Sequence, residues 1–294
     1  MKKIFPALLL AAAVAALPAR ACDVCGYGPS NYNPFLFPHL ARSYVSLSWS
    51  ARSYRLLDHD GSWAQAKNNT LLLSAQYRLN SRLQLLAQLP FQLNEAHTQE
   101  GSTRSSGAGD ATVLAQYRFV EAKRGNWRHT VLAAAGAKLP TGRYRSEAEK
   151  TAGQTFQPGS GSLDYLANAA YRVGYRNWLL GTSVAYKYNT AARDGFRYGD
   201  MLTAGAQLVF RLEGTRGALM PYAQATHETQ FNDASGHVLQ ARTGGTALYV
   251  GGGLDASTRS ITAGMSYQWA ADQAIAGGNI QARPRLQAHV AFSF

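Results

Sequence analysis

From about residue 42 to the end, apolar and polar residues alternate in short runs instead of recurring every three or four positions. The last run shows it plainly. Leu286, Ala288, Val290, Phe292 and Phe294 interleave with Arg285, Gln287, His289, Ala291 and Ser293. A period of two sends neighbouring side chains to opposite faces of a β-strand. Such runs predict about twelve strands, at 42–55, 69–79, 82–93, 110–119, 127–139, 163–173, 177–188, 198–212, 218–230, 247–256, 260–270 and 283–294.

The connections alternate as well. Those at 80–81, 120–126, 174–176, 213–217 and 257–259 are short. Those at 56–68, 94–109, 140–162, 231–246 and 271–282 are long and rich in small polar residues, and 189–197 is intermediate. An even number of antiparallel strands joined by short turns at one end and long loops at the other predicts an all-β, transmembrane up-and-down β-barrel. A secreted β-sandwich would not need this rhythm.

The faces follow from the pleat. Leu83, Leu85, Ala87, Leu89, Phe91 and Leu93 should meet lipid, with Gln84, Gln88 and Gln92 inside. Ile261, Ala263, Met265, Tyr267 and Trp269 should likewise oppose an inward Thr262, Ser266 and Gln268. Polar groups inside a bilayer need water or partners, so an inner wall of Gln, Ser, Thr and Arg implies a hydrated or plugged lumen.

The chain start adds an export signal. Lys2 and Lys3 precede an apolar stretch and the small-x-small site Ala19-Arg20-Ala21, which predicts a signal peptide over 1–21. The barrel then occupies 41–294, behind a periplasmic segment at 22–40. Mean hydropathy is only −0.23, and after the leader no apolar run reaches the length of a membrane helix. Strands with every second residue apolar leave average hydropathy low. Losing Lys2, Lys3 and Arg20 with the leader lowers the net charge from +12 to +9. Export excludes nucleic acid as the partner of this charge, leaving anionic lipid or a pore wall. The expected location is the cell outer membrane with both termini periplasmic, and the expected partners are outer-membrane lipid, a small-molecule solute and a periplasmic protein.

Four predicted strands end on a shared pattern: Gln76-Tyr77-Arg78-Leu79, Gln116-Tyr117-Arg118-Phe119, Ala170-Tyr171-Arg172-Val173 and Val209-Phe210-Arg211-Leu212. The aromatic residue suits an interfacial girdle. Arg78, Arg118, Arg172 and Arg211 then point inward near the periplasmic mouth, where Lys138, Lys187 and Arg285 are expected to join them. His289 is placed on the lumen wall. These candidates along the solute path either brace the barrel or form a basic ring that concentrates anions.

Several short motifs occur in a set order: Gly107-Ala108-Gly109-Asp110, Gly136-Ala137-Lys138-Leu139-Pro140-Thr141-Gly142, Pro158-Gly159-Ser160-Gly161-Ser162-Leu163-Asp164-Tyr165 and Arg197-Tyr198-Gly199-Asp200. With the aromatic C-terminus, this set resembles an outer-membrane transporter family named for the MetA pathway of phenol degradation. The resemblance covers most of the barrel and implies movement of small molecules. It brings no catalytic residue and no substrate. The start Cys22-Asp23-Val24-Cys25-Gly26 is similar to that of a subgroup.

Cys22 and Cys25 are the sole cysteines. Three readings stand for them: a disulfide, a soft-metal or redox site for Cu or Zn, or lipidation of Cys22. The seven histidines show no metal-binding spacing, and no nucleophile elbow or phosphate loop occurs. The chain is therefore expected to be a channel or transporter for small polar solutes, anionic or metal-related, and not an enzyme. The alternatives are a barrel-anchored periplasmic metal or redox accessory protein and, behind it, a membrane hydrolase.

Overall fold

Alternating runs can leave no backbone group unpaired in lipid, and closing the sheet is how they meet that demand. The computed structural model describes residues 42–57, 63–99, 101–145 and 157–294. Among the described residues twelve antiparallel strands close into one barrel. They are β1 (Tyr44–Leu57), β2 (Trp63–Arg78), β3 (Leu83–Thr98) and β4, which runs as Gly101–Ala108 and Thr112–Arg124. Next come β5 (Trp127–Lys138), β6 (Asp164–Tyr175), β7 (Trp178–Tyr188) and β8 (Met201–Phe210, then Leu212–Glu213). The last are β9 (Ala218–Gln230), β10 (Gly245–Ser257), β11 (Ile261–Ile275) and β12, as Ile280–Ala282 and Arg285–Ser293. Each strand pairs with its sequence neighbour, and β12 pairs back onto β1 with Ser48 opposite His289. The Phe294 N–H donates to the Ser43 carbonyl at 3.0 Å, so the described start and the end of the chain meet at the short-turn end.

The two faces are those the alternation predicts. Val45, Leu47, Leu85, Leu89, Met265, Val290 and Phe292 are exposed on the outside, where lipid is their solvent. Ser46, Ser48, Thr70, Gln84, Gln88, Thr262 and Ser266 are buried inside. At the short-turn end Tyr77, Tyr117, Phe119 and Tyr171 face outward. Trp127 packs on Tyr175 with ring centroids 4.5 Å apart, and Trp178 on Phe210 at 4.6 Å. Amphipathic rings of this kind sit well at a headgroup boundary.

Two features of the strands differ from expectation. Three of the predicted long loops are largely strand: β2 begins at Trp63, β3 runs to Thr98 and returns at Gly101, and β11 reaches Ile275. Ladder hydrogen bonds form alike in lipid and in water, whereas apolar alternation is required only in lipid. The pattern therefore fades before the strands do. Among the described residues the long non-strand stretches lie at 139–145 and 157–163, at 189–200 and at 231–244, and the last two join in a small antiparallel patch of Phe196–Arg197, Ala234–Ser235 and Val238–Leu239.

The inner wall is also less uniformly polar than expected. Tyr54, Leu56, Tyr249, Ile275 and Ile280 form a buried apolar cluster inside the long-loop end of β1 and β10–β12. Leu86, Leu114 and Ala134 form another inside β3–β5. A barrel of this strand number is narrow, so inward side chains from separate strands touch and can pack dry.

Candidate functional site

The inward cations divide between the two ends. Arg78, Arg118 and Arg172 line the lumen at the short-turn end, as the alternation predicts, while Arg211 is exposed at the rim. Arg118 Nη1 lies 2.5 Å from Glu121 Oε2, and Arg211 Nε lies 2.5 Å from Glu213 Oε1. Both are thus paired with a nearby carboxylate.

Lys138 and Lys187 do not join that group. Each ends a strand that rises from a short turn, so both lie at the opposite, long-loop end. Arg285 stands opposite Gln268, midway along β11. A motif read as one-dimensional text carries no height along the barrel; strand direction assigns it. Cys22 and Cys25 fall outside the described residues.

Around Lys138, the motifs scattered through the sequence converge. Its Nζ lies 2.6 Å from Asp110 Oδ2 and 2.8 Å from Asp164 Oδ2, and it donates to Ser160 Oγ. Asp110 accepts from the Gly142 N–H at 2.9 Å, the Ser160 N–H at 2.9 Å and Ser160 Oγ at 2.8 Å. Asp164 Oδ1 accepts from Ser162 Oγ at 2.8 Å and the Thr190 N–H at 3.1 Å. Asp110 occupies the break between the two pieces of β4, which frees it to serve both a strand and a loop. The loop residues 157–163 are thereby strapped to the barrel mouth, where Pro158 and Gly159 are buried.

The strap needs glycine. A Cβ on Gly159 would meet the backbone carbon and oxygen of Gly142 at 2.5 Å. Gly159→Ala is expected to destabilise the protein by about 1–3 kcal/mol, the usual cost of overpacking. The temperature at which the folded band is lost in gel electrophoresis measures it, and an unchanged temperature would contradict the close approach.

The fourth motif anchors the neighbouring loop. Asp200 accepts from the Asn189 N–H at 2.9 Å, Arg197 Nη2 at 2.9 Å and the Tyr186 hydroxyl at 2.6 Å. Burial alone would raise the Asp200 carboxyl, but these three donors outweigh it and hold it below its ordinary range.

Midway down the lumen Arg285 reaches across β11 and β10 to Glu228 on β9. Its two Nη atoms donate to the two carboxylate oxygens at 2.7 Å each. The guanidinium carbon lies 3.2 Å from the centre of the Tyr249 ring, and both charged side chains are buried. Such a bidentate pair fixes geometry as well as charge. Arg285 is thus paired within the wall, where the sequence left both bracing and solute contact open for it.

Nearer the short-turn end His289 Nε2 lies 3.6 Å from Asp255 Oδ1, too far for a hydrogen bond. They approach over Gly264, whose absent side chain leaves the space: a Cβ there would sit 2.0 Å from Asp255 Oδ1. Sequence reasoning singled out the cations, met Asp110 and Asp164 only within the ordered motifs, and passed over Glu228 and Asp255. The signal was present for the last three, since a carboxylate at an inward position of a membrane strand requires a partner.

The fold is similar to that of the COG4313 outer membrane channel from Pseudomonas putida F1, with a TM-score of 0.63 and 16% identity over 90% of this chain and 99% of that one. Weaker likenesses include the NanC porin, with a TM-score of 0.46 and 12% identity over 84% of this chain and 100% of that one. The CymD monoaromatic hydrocarbon channel gives a TM-score of 0.44 and 9% identity over 92% and 94%. No family model matches the chain, and no curated protein matches it in sequence. At 16% identity the likeness to the COG4313 channel shows the fold alone, a closed antiparallel β-barrel.

Proposed function

We propose that this barrel is a channel for small polar solutes and that it favours anions. The observation that carries the reading is the inner wall. Polar residues line it from Ser46 and Gln84 near the short turns to Asn68 and Asn94 towards the loops. Cations on that wall outnumber carboxylates: Arg52, Arg78, Arg118, Arg172, Lys138, Lys187 and Arg285 stand against Asp110, Glu121, Asp164, Glu228 and Asp255. Confined charge of one sign raises the local concentration of the opposite ion.

The neighbours' printed names, outer membrane channel and porin, agree with this reading. The short-turn end, with both termini, faces the periplasm in it, as single-chain bacterial barrels are built. Purified protein in a planar bilayer is expected to give steady current with a reversal potential on the anion side in a KCl gradient. Well-folded protein that carries no current, or current that prefers cations, would overturn the proposal.

A further inference from the structure

Arg285 is the inward arginine that the sequence makes conspicuous, yet Glu228 and Tyr249 consume it. Its neighbour on the wall is in a different situation. Ala51 pairs with Leu286, and the Ser53 carbonyl accepts from the Arg283 N–H at 2.9 Å. Arg52 on β1 therefore stands at the level where β12 carries Arg285. Its charge is felt at Glu228 and Tyr249, but among the described residues no hydrogen bond or ion pair joins it to either, and Glu228 holds Arg285 in a bidentate pair. Among the described residues Arg52 makes no ion pair, and it is half-buried.

A guanidinium facing inward without a carboxylate must keep water or take an anion, because leaving its donors unmet in a closed barrel costs too much. Apart from the Arg285–Glu228 pair, the wall residues nearest to it are polar and neutral. Asn68 is opposite Arg52 on β2, Thr70 is opposite Ser50, and Gln287 is opposite Ser50 on β12. One unspent fork of N–H donors beside neutral hydrogen-bonding side chains suits a planar oxyanion, which guanidinium binds in bidentate fashion.

We propose that Arg52, and not Arg285, recognises the solute, binding a carboxylate group in the space bounded by Ser50, Asn68, Thr70 and Gln287. The neighbouring Arg285–Glu228 pair holds the wall and blocks Arg52 from acquiring an internal partner. This deepens the channel reading and takes its meaning from it.

Acetate serves as the probe, with two independent readouts on the detergent-purified full chain. Calorimetric titration of wild type should show binding, and Arg52→Gln should weaken it at least about tenfold, the loss of a charge-assisted hydrogen-bonded contact. In bilayers Arg52→Gln should move the reversal potential towards zero, and Arg52→Lys should restore part of the shift. The double variant Arg285→Gln/Glu228→Gln removes a cation and a carboxylate together and should retain acetate binding. Heat-dependent gel mobility confirms that each variant is folded.

Folded Arg52→Gln with wild-type acetate affinity and wild-type selectivity would overturn the site. So would wild type that binds no acetate. If wild type passes no current while Arg52-dependent acetate binding persists, the channel reading falls and the binding site stands.

Discussion

Glu228→Gln is expected to cost about 3–5 kcal/mol of stability, the range for breaking one side of a buried ion pair. The glutamine fits the same volume but carries no charge, so Arg285 remains buried as an uncompensated cation. Little else can serve it, since the Tyr249 ring covers one face of the guanidinium and the apolar cluster around Tyr54 lies towards the loops. The transition from folded to unfolded gel mobility on heating would fall markedly. Arg285→Met/Glu228→Leu should recover most of the loss, because two apolar side chains remove both desolvation costs together. Equal loss in the single and the double variant would show that packing, not charge pairing, holds this part of the lumen.

Asp110→Ala should release the mouth. The carboxylate accepts from the backbone of Gly142 and Ser160, from the Ser160 hydroxyl, and pairs with Lys138. Its removal leaves those half-buried donors short of an acceptor, at a cost of about 2–4 kcal/mol, since each unmet group forfeits its desolvation energy. Lys138 keeps Asp164, which limits the damage to the strap. The expected result is faster trypsin cleavage at Arg143 and Arg145, with the barrel strands still intact. Cleavage at the wild-type rate would mean that the strap is held by the glycine contacts alone. Asp110→Asn should be intermediate, because an amide oxygen still accepts one backbone hydrogen bond.

Both effects arise at residues whose role is a relation between distant parts of the chain. Asp110, Lys138 and the Ser160–Asp164 stretch are separated by whole strands or long connections, and each reads alone as an unremarkable turn or strand-end segment. The ordered motifs did signal that these positions matter. They did not signal that one carboxylate ties three of them together. Arg52 was missed for the complementary reason: as an isolated arginine in a serine-rich strand it looks like any inward polar residue. Only the register between β1 and β12 sets it beside a bidentate pair to which no hydrogen bond joins it.

The sequence by itself determined the class of fold, the strand count and which residues meet lipid. A closed sheet in a bilayer leaves the chain little freedom: every second residue must be apolar, and short turns must alternate with longer connections. Both constraints are local and periodic, so they are written along the chain. The final strand, Arg285 to Phe294, already carries the inside and outside of the whole barrel. The tertiary structure alone decided how far the strands continue past the apolar band, at which end Lys138 and Lys187 lie, and which cations are spent. Those outcomes depend on direction, register and the meeting of side chains across a narrow lumen, where one residue's charge has meaning only against the partner that folding brings to it.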